Sequence, residues 1–311
     1  MQECLDSILQ QSYSNWELVI VNDHSTDNTR LVLDDYALLD SRIKVYESDG
    51  HGIIPALRIA YKHAQGAYIA KMDGDDIMAL KRLELSLDLI KRKGEGYVVT
   101  GLIKYFAEIE LGNGFKRYES WLNALSLNGT NYSEIYKECV IPSPCWMIHR
   151  NDFEKVGAFI PEVYPEDYDL CFRMYKQQLK VVAVPEICHF WRDHGLRASR
   201  VDPKYADYNF LNLKISNFLD IDWSKEKSLV LWGAGKKGKW LANYLITQNI
   251  QFTWLCDNPK KIGKEIYGKF LLDSQLINLK DNSQFIVAVA NDESKAQIQD
   301  DLLDAEAYFF A

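Results

Sequence analysis

The chain has 311 residues, 47% of them hydrophobic and 26% charged, with a formal net charge of −8 at pH 7. Such a length fits two globular domains, and the negative balance argues against a nucleic-acid binder, which would display a basic face. Six cysteines without a C-x-x-C pair offer neither a zinc site nor a disulfide framework, so reduced thiols and a cytoplasmic address are expected. No run approaches the roughly 18 apolar residues of a membrane span, and no signal-peptide pattern opens the chain; peripheral membrane contact stays open.

The opening "MQECLDSILQ" reads as a helix. "WELVIVN" (16–22) fits a buried parallel strand, and 26–39 reads as a helix with polar start signals. "IKVYES" is a second strand, "GIIPALRIAYKHAQG" (52–66) a helix closed by Gly66, and "AYIAKMD" a third strand. These alternating units predict an α/β fold, a mostly parallel sheet with helices on both faces, whose ligands gather beyond the carboxyl ends of the strands. Asn22-Asp23 and Asp73–Asp76 both fall at such ends.

From about 95 to 150 the pattern loosens around two strands, "YVVTG" and "CWMIHR". "EDYDLCFRMYKQQ" (166–178) is helical by period, and "LKVVAVP" and "ICHFWRD" read as two strands. A helix over 205–219 leads into the polar "DWSKEKS", which predicts domains at 1–222 and 223–311. The second opens with the strand "SLVLW", then "GAGKKG", a helix and a further strand ending at Asp257.

The stretch "KMDGDD" sets Asp73, Asp75 and Asp76 within four positions. Mg²⁺ and Mn²⁺ take oxygen ligands, often one or two carboxylates together with substrate phosphates. Two aspartates at i and i+2 on a tight turn can face one ion, and Gly74 lets the backbone turn between them. Taken alone, the cluster reads first as a solvated acidic turn before a helix, with Asp76 suited to the first turn.

Its surroundings reverse that reading. "ECLDSILQQSYSNWELVIVNDHSTDNT", "HGIIPALRIAYKHAQGAYIAKMDGDD", "PEDYDLCFRM" and "FWRDHGLRAS" together resemble family 2 glycosyltransferases of the GT-A fold, over roughly residues 1–200. The resemblance implies an inverting transferase with a nucleotide-sugar donor, a UDP-sugar ahead of others, and Mg²⁺ or Mn²⁺. It implies a glycan or lipid-linked glycan acceptor, in surface polysaccharide synthesis. Asp73 and Asp75 match the D-x-D pair that meets the ribose and the diphosphate-bound metal, and Asp23 matches the aspartate that bonds the nucleobase. Outside the resemblance, Asp23 is an ordinary turn or cap residue.

Glu166-Asp167 matches the family's E-D pair, in which the aspartate is the base that takes the acceptor's proton. An acidic helix start after Pro165 explains the same letters, and its dipole would lower the pKa of that base unless Glu166 or desolvation compensates. "WRDHGLRASR" makes Arg192 and Arg197 candidates for the diphosphate and His194 a third metal position, against the plainer reading of a surface histidine. Trp146 and Trp191 suit either sugar stacking or core packing. Two departures stand out. Relatives carry a strand and a Pro-x-Tyr-Asn turn ahead of the opening helix, so roughly 15 further residues are expected upstream of Met1, the length of one strand and its turn. Arg58 stands where relatives often have asparagine, either meeting the diphosphate or facing solvent.

In the second region Gly233, Gly235 and Gly238 form G-x-G-x-x-G after a strand and at a helix start, with Asp257 about 20 residues on, where a ribose-binding acid belongs. A second nucleotide is therefore a candidate there, against glycines that serve only helix–strand packing. Residues 228–311 also resemble the small Rossmann-like modules of nucleotide-sugar acyltransferases. Two other functions compete with glycosyl transfer: a nicotinamide-dependent oxidoreductase centred on Gly233–Gly238, and a non-catalytic nucleotide-sugar-binding protein.

Overall fold

The computed structural model describes residues 1–108, 111–195, 197–276 and 282–311. The chain divides into two compact units, Met1–Ser133 with Cys139–Pro203, and Glu134–Glu138 with Lys204–Ala311. The helix read over 205–219 therefore lies in the second unit, although the sequence placed it ahead of the boundary at 222.

In the first unit the order is α1 (Gln2–Leu9), β1 (Leu18–Asn22), α2 (Thr29–Leu39), β2 (Ile43–Glu47), α3 (Ile53–His63), β3 (Tyr68–Ala70), β4 (Ile77–Met78) and α4 (Arg82–Lys93). It continues through β5 (Tyr97–Phe106), α5 (Asn113–Asn128), β6 (Trp146–His149), α6 (Arg150–Lys155), α7 (Glu166–Lys176), β7 (Lys180–Arg192) and α8 (Ala198–Val201). β1 and β2 form a parallel pair, and a five-stranded sheet runs β3-β6-β5-β7-β4. Within it β5 and β7 are parallel, while β6 and β4 run antiparallel to their neighbours.

The two strands read on either side of Pro185 are one 13-residue strand, β7. Its pairing with β5 slips where Gly101 faces Val184 and the next residue, Leu102, faces Ile187. Pro185 and Glu186 thus occupy a bulge, where an absent N–H removes no ladder bond; the proline marks a kink and not an end. Gly101 is required there, because a Cβ on it would stand 2.4 Å from both Cβ and Sγ of Cys188. The core lies between this sheet and α4 and α5, with Leu87, Ile90, Val99, Ile103 and Leu122 buried together. Each such side chain contributes about 1.5–3 kcal/mol by leaving water. Trp146 and Trp191 are both buried, which settles them as packing residues.

The second unit holds α9 (Asp207–Ile221), β8 (Ser228–Trp232), α10 (Lys236–Thr247), β9 (Thr253–Cys256), the short β10 (Glu265–Ile266), β11 (Lys269–Phe270) and β12 (Leu272–Asp273), then β13 (Ser283–Val287), α11 (Asp292–Asp301) and β14 (Glu306–Phe309). Its main sheet has the order β12-β9-β8-β13-β14, and every pair in it is parallel. The apolar runs "SLVLW" and "SQFIV" suit such a sheet: Val230, Leu231, Ile286 and Val287 are fully buried. Among the described residues no helix is long and apolar enough to cross a membrane.

Candidate active site

β3 ends at Ala70, and the chain turns through Lys71–Asp76 before β4 pairs with β7, Ile77 against Phe190 and Met78 against His189. The turn is closed by the Asp76 amide, which donates to the Asp73 carbonyl at 3.3 Å. It thereby lies beside the carboxyl end of β7, and each of its acids has a separate counterpart.

Asp73 Oδ1 accepts from Lys71 Nζ at 2.6 Å, and the same ammonium donates to Ser143 Oγ at 2.9 Å. Lys71 is buried. Burial works against its charge, but Asp73, Glu166 and Asp167 outweigh that penalty and raise its pKa above the ordinary lysine value. One ammonium therefore feels acids from the turn and from the start of α7, 91 positions further along the chain from Asp76 to Asp167.

Asp76 is almost wholly enclosed, at 1% exposure. Its Oδ2 lies 2.8 Å from His189 Nε2, and its Oδ1 accepts from the Arg192 amide at 2.7 Å. Arg82 Nη1 stands 3.0 Å from His189 Nδ1. A guanidinium only donates, so Nδ1 accepts and Nε2 carries the proton towards Asp76. Burial, with Arg82 and Lys71 adding to it, drives the His189 pKa well below the usual value and keeps the ring neutral. Burial, then the charge of Asp73, pushes Asp76 up to about 8 against the Arg192 amide, and Asp75 adds to the rise. Burial and the neighbouring acids thus hold Asp76 well above the usual carboxylate range, while His189 and the Arg192 amide each supply a hydrogen to one of its oxygens.

Asp75 stays half in solvent. Its Oδ2 lies 2.9 Å from His194 Nε2, which brings together two of the three residues expected to ligate a metal. A carboxylate beside an imidazole is a donor pair acceptable to Mn²⁺, and donor phosphates would fill further positions. Arg192 braces the turn: Nε donates to the Asp75 carbonyl at 2.6 Å, and the guanidinium lies 4.4 Å from the Phe106 ring centroid.

Asp167 lies in the first turn of α7, half-buried, with Oδ1 accepting from the Tyr168 amide at 2.8 Å. The helix begins after Pro165 with Glu166, Asp167 and Asp169 in its first turn, where the dipole favours negative charge. The helix packs through Tyr168, Leu170, Phe172 and Met174, all buried.

Asp23 follows β1, and its Oδ2 accepts from the Gly52 amide at 2.8 Å. Among the described residues, the group of three acid and imidazole donors within 4.8 Å of one another is Asp23, His24 and His51, all exposed, and not Asp73, Asp75 and His194. Arg58 is engaged elsewhere: Nε donates to the Phe159 carbonyl at 3.0 Å and Nη2 to the Ile160 carbonyl at 2.5 Å, tying α3 to that loop. Its Nη1 lies 3.4 Å from Glu162 Oε2, and the side chain stays partly exposed.

Sequence reasoning passed over Lys71, Arg82 and His189. A faint signal existed for Lys71, since residues 71 and 73 two apart on an extended chain share a face.

Residues 1–157 match the family described as "Glycosyl transferase family 2". The chain belongs to that family. TuaG of Bacillus subtilis, named for teichuronic acid biosynthesis, is 36% identical over 102 residues, 32% of this chain and 40% of its own length. Escherichia coli WfgD, a UDP-Glc:alpha-D-GlcNAc-diphosphoundecaprenol beta-1,3-glucosyltransferase, is 26% identical over 190 residues, 60% of this chain and 70% of WfgD. The chain thus spans less than half of the length of TuaG and somewhat over two thirds of that of WfgD. Among solved structures, the mannosyltransferase PcManGT of Pyrobaculum calidifontis, in complex with GDP-Man and Mn²⁺, superposes with a TM-score of 0.50 at 16% identity, covering 80% of this chain and 76% of that one. This likeness shows the GT-A fold. None of these three relatives is an acyltransferase, and the acyltransferase likeness of 228–311 finds no support in them.

Proposed function

We propose that the protein is an inverting glycosyltransferase that moves a sugar from a nucleotide donor to a hydroxyl of a glycan or lipid-linked glycan during surface polysaccharide synthesis. The observation that carries this reading is the acidic turn in a chain of this family, with Asp75 Oδ2 2.9 Å from His194 Nε2 and Asp73 Oδ1 2.6 Å from Lys71 Nζ; the charges of Glu166 and Asp167 act on that same ammonium. Family membership, and the UDP-Glc and diphosphoundecaprenol in the name of WfgD, support a UDP-sugar and a lipid-linked acceptor. Peripheral membrane contact fits such an acceptor.

In this reading Asp23 bonds the nucleobase, Asp73 meets the ribose, and Arg192 and Arg197 lie towards the diphosphate. Asp75 and His194 would hold the divalent cation, which neutralises charge on the leaving diphosphate. Asp167, with Glu166 beside it, takes the proton of the acceptor hydroxyl as its oxygen bonds the anomeric carbon. The bond from that carbon to the donor phosphate oxygen breaks on the opposite face, so the centre inverts.

The test is transfer of a labelled sugar from a panel of UDP- and GDP-sugars with Mn²⁺. Asp167→Asn and Asp75→Ala should each lower turnover by about 100-fold or more with circular dichroism unchanged. Undiminished turnover in Asp167→Asn would remove the base assignment.

A further inference from the structure

The second unit contains a cavity of about 810 Å³, walled by the "GAGKK" loop after β8, the Cys256–Asn258 exit of β9 and the Ala288–Asn291 exit of β13. β8 lies between β9 and β13, and the chain leaves it towards β9 on one side and reaches β13 later on the other. The cavity thus opens where the strand order reverses, the place at which parallel sheets leave a crevice.

The three glycines divide their work. A Cβ on Gly238 would stand 2.1 Å from the Gly233 carbonyl oxygen, and one on Gly233 would stand 2.9 Å from that of Ala288. Those two are packing glycines. Gly235 differs: its φ of −77° and ψ of −167° suit any residue, and a Cβ there would meet nothing within 4 Å. No packing need keeps it small, and it lines the cavity. It is also the cap of the 12-residue α10 and, as a glycine, brings no side chain of its own to the first-turn amides.

The walls supply the rest. Lys236, Lys237 and Lys261 line the cavity, and Lys261 Nζ is fixed on the Ala234 carbonyl at 2.9 Å. The Gly233 carbonyl accepts from the buried Trp254 indole at 3.0 Å, so the loop is already set. Asp257 takes a hydrogen bond on each carboxylate oxygen, from Trp232 Nε1 at 2.8 Å and from Ser274 Oγ. Each oxygen keeps a second lone pair, so the acid is aimed and still able to accept from a vicinal diol. Trp240 and Tyr208 add flat apolar surface for a base.

We propose that this cavity binds a ribonucleoside diphosphate, with the phosphates on the Gly235 amide and α10, the lysines around them, and the ribose on Asp257. The same chemistry is carried by a free nucleotide, a nucleotide sugar and a dinucleotide. The inference does not rest on the transfer reaction, because it uses other residues and needs no metal.

Calorimetric titration of the full chain in EDTA with ADP, UDP, UDP-glucose and NAD⁺ tests it. At least one should bind, and its identity names the source. Gly235→Asp, which adds a carboxylate where the phosphates lie, should weaken that binding about tenfold or more, while Asp75→Ala leaves it unchanged. If Gly235→Asp does not fold, Gly235→Ala, with its methyl in open space, should weaken binding about threefold. No binding by any of the four, binding indifferent to both Gly235 variants, or binding lost in Asp75→Ala would overturn the proposal.

Discussion

Lys71 is the buried cation on which Asp73 and the acid pair at the start of α7 act together. Asp73 is the acid it touches, and Ser143 holds it from the other side. Removing one partner from such a pair leaves the remaining charges uncompensated. Lys71→Met should therefore lower the unfolding free energy at pH 7 by about 2 kcal/mol, a figure reduced because Asp73 is partly solvated. In the parent the lysine's pKa is raised, so its contribution holds through neutral pH and is lost only as the pH climbs through that elevated value. Urea titrations of both proteins from about pH 6 to about pH 11 check this, with the deficit expected to hold through neutral pH and to shrink at the alkaline end. Gly101 makes a second residue-scale prediction. Gly101→Ala drives a methyl into Cys188 and should cost about 2 kcal/mol or more, read as a lower urea midpoint.

Within elements, α9 carries a titrating group. Lys214 is 3% exposed, its Nζ donates to the Lys137 carbonyl at 2.5 Å, and burial brings its pKa down to about 8. Between about pH 8 and the ordinary lysine value the unfolded chain binds this proton and the folded one does not, so stability should rise with pH across that window, by about 3 kcal/mol in total. Lys214→Met should flatten the rise. The same scale shows what local sequence can convey. The strand ends bearing Asp23 and Asp73, the acidic start of α7 and the glycine turn before α10 were legible because apolar period and end signals are local. The continuity of β7 was not: Pro185 reads as a break, and only pairing with β5 makes it a bulge. His189 and Arg82 were missed for a related reason. They meet across 107 positions, and nothing near either one announces that a histidine will be buried against a guanidinium.

At the scale of the molecule, all six cysteines are free and buried. Burial pushes the Cys4 and Cys188 thiols up to about 12, and Cys139 rises through its contact with Cys171 as well as burial. Thiolates are the reactive form, so native protein should resist a thiol reagent at pH 8 while denatured protein titrates all six. Rapid labelling of more than one thiol in the native state would contradict the packing described. The bulged strand carries a further consequence. From Val184 to Arg192 β7 advances three residues more than β5 does from Gly101 to Phe106. Two of the three enter at Pro185 and Glu186 and leave the alternation unchanged; the third, Cys188, enters at a second slip between Leu102 and Ile103 and reverses which residues point inward beyond it. His189 reaches Asp76 because of that reversal. Losing or gaining one residue between 184 and 189 would swing His189 outward and Cys188 or Phe190 in, disarming the acidic turn without touching it. This short span sets the phase of the strand's end, and a change in its length should disturb the site more than one in an exposed connection.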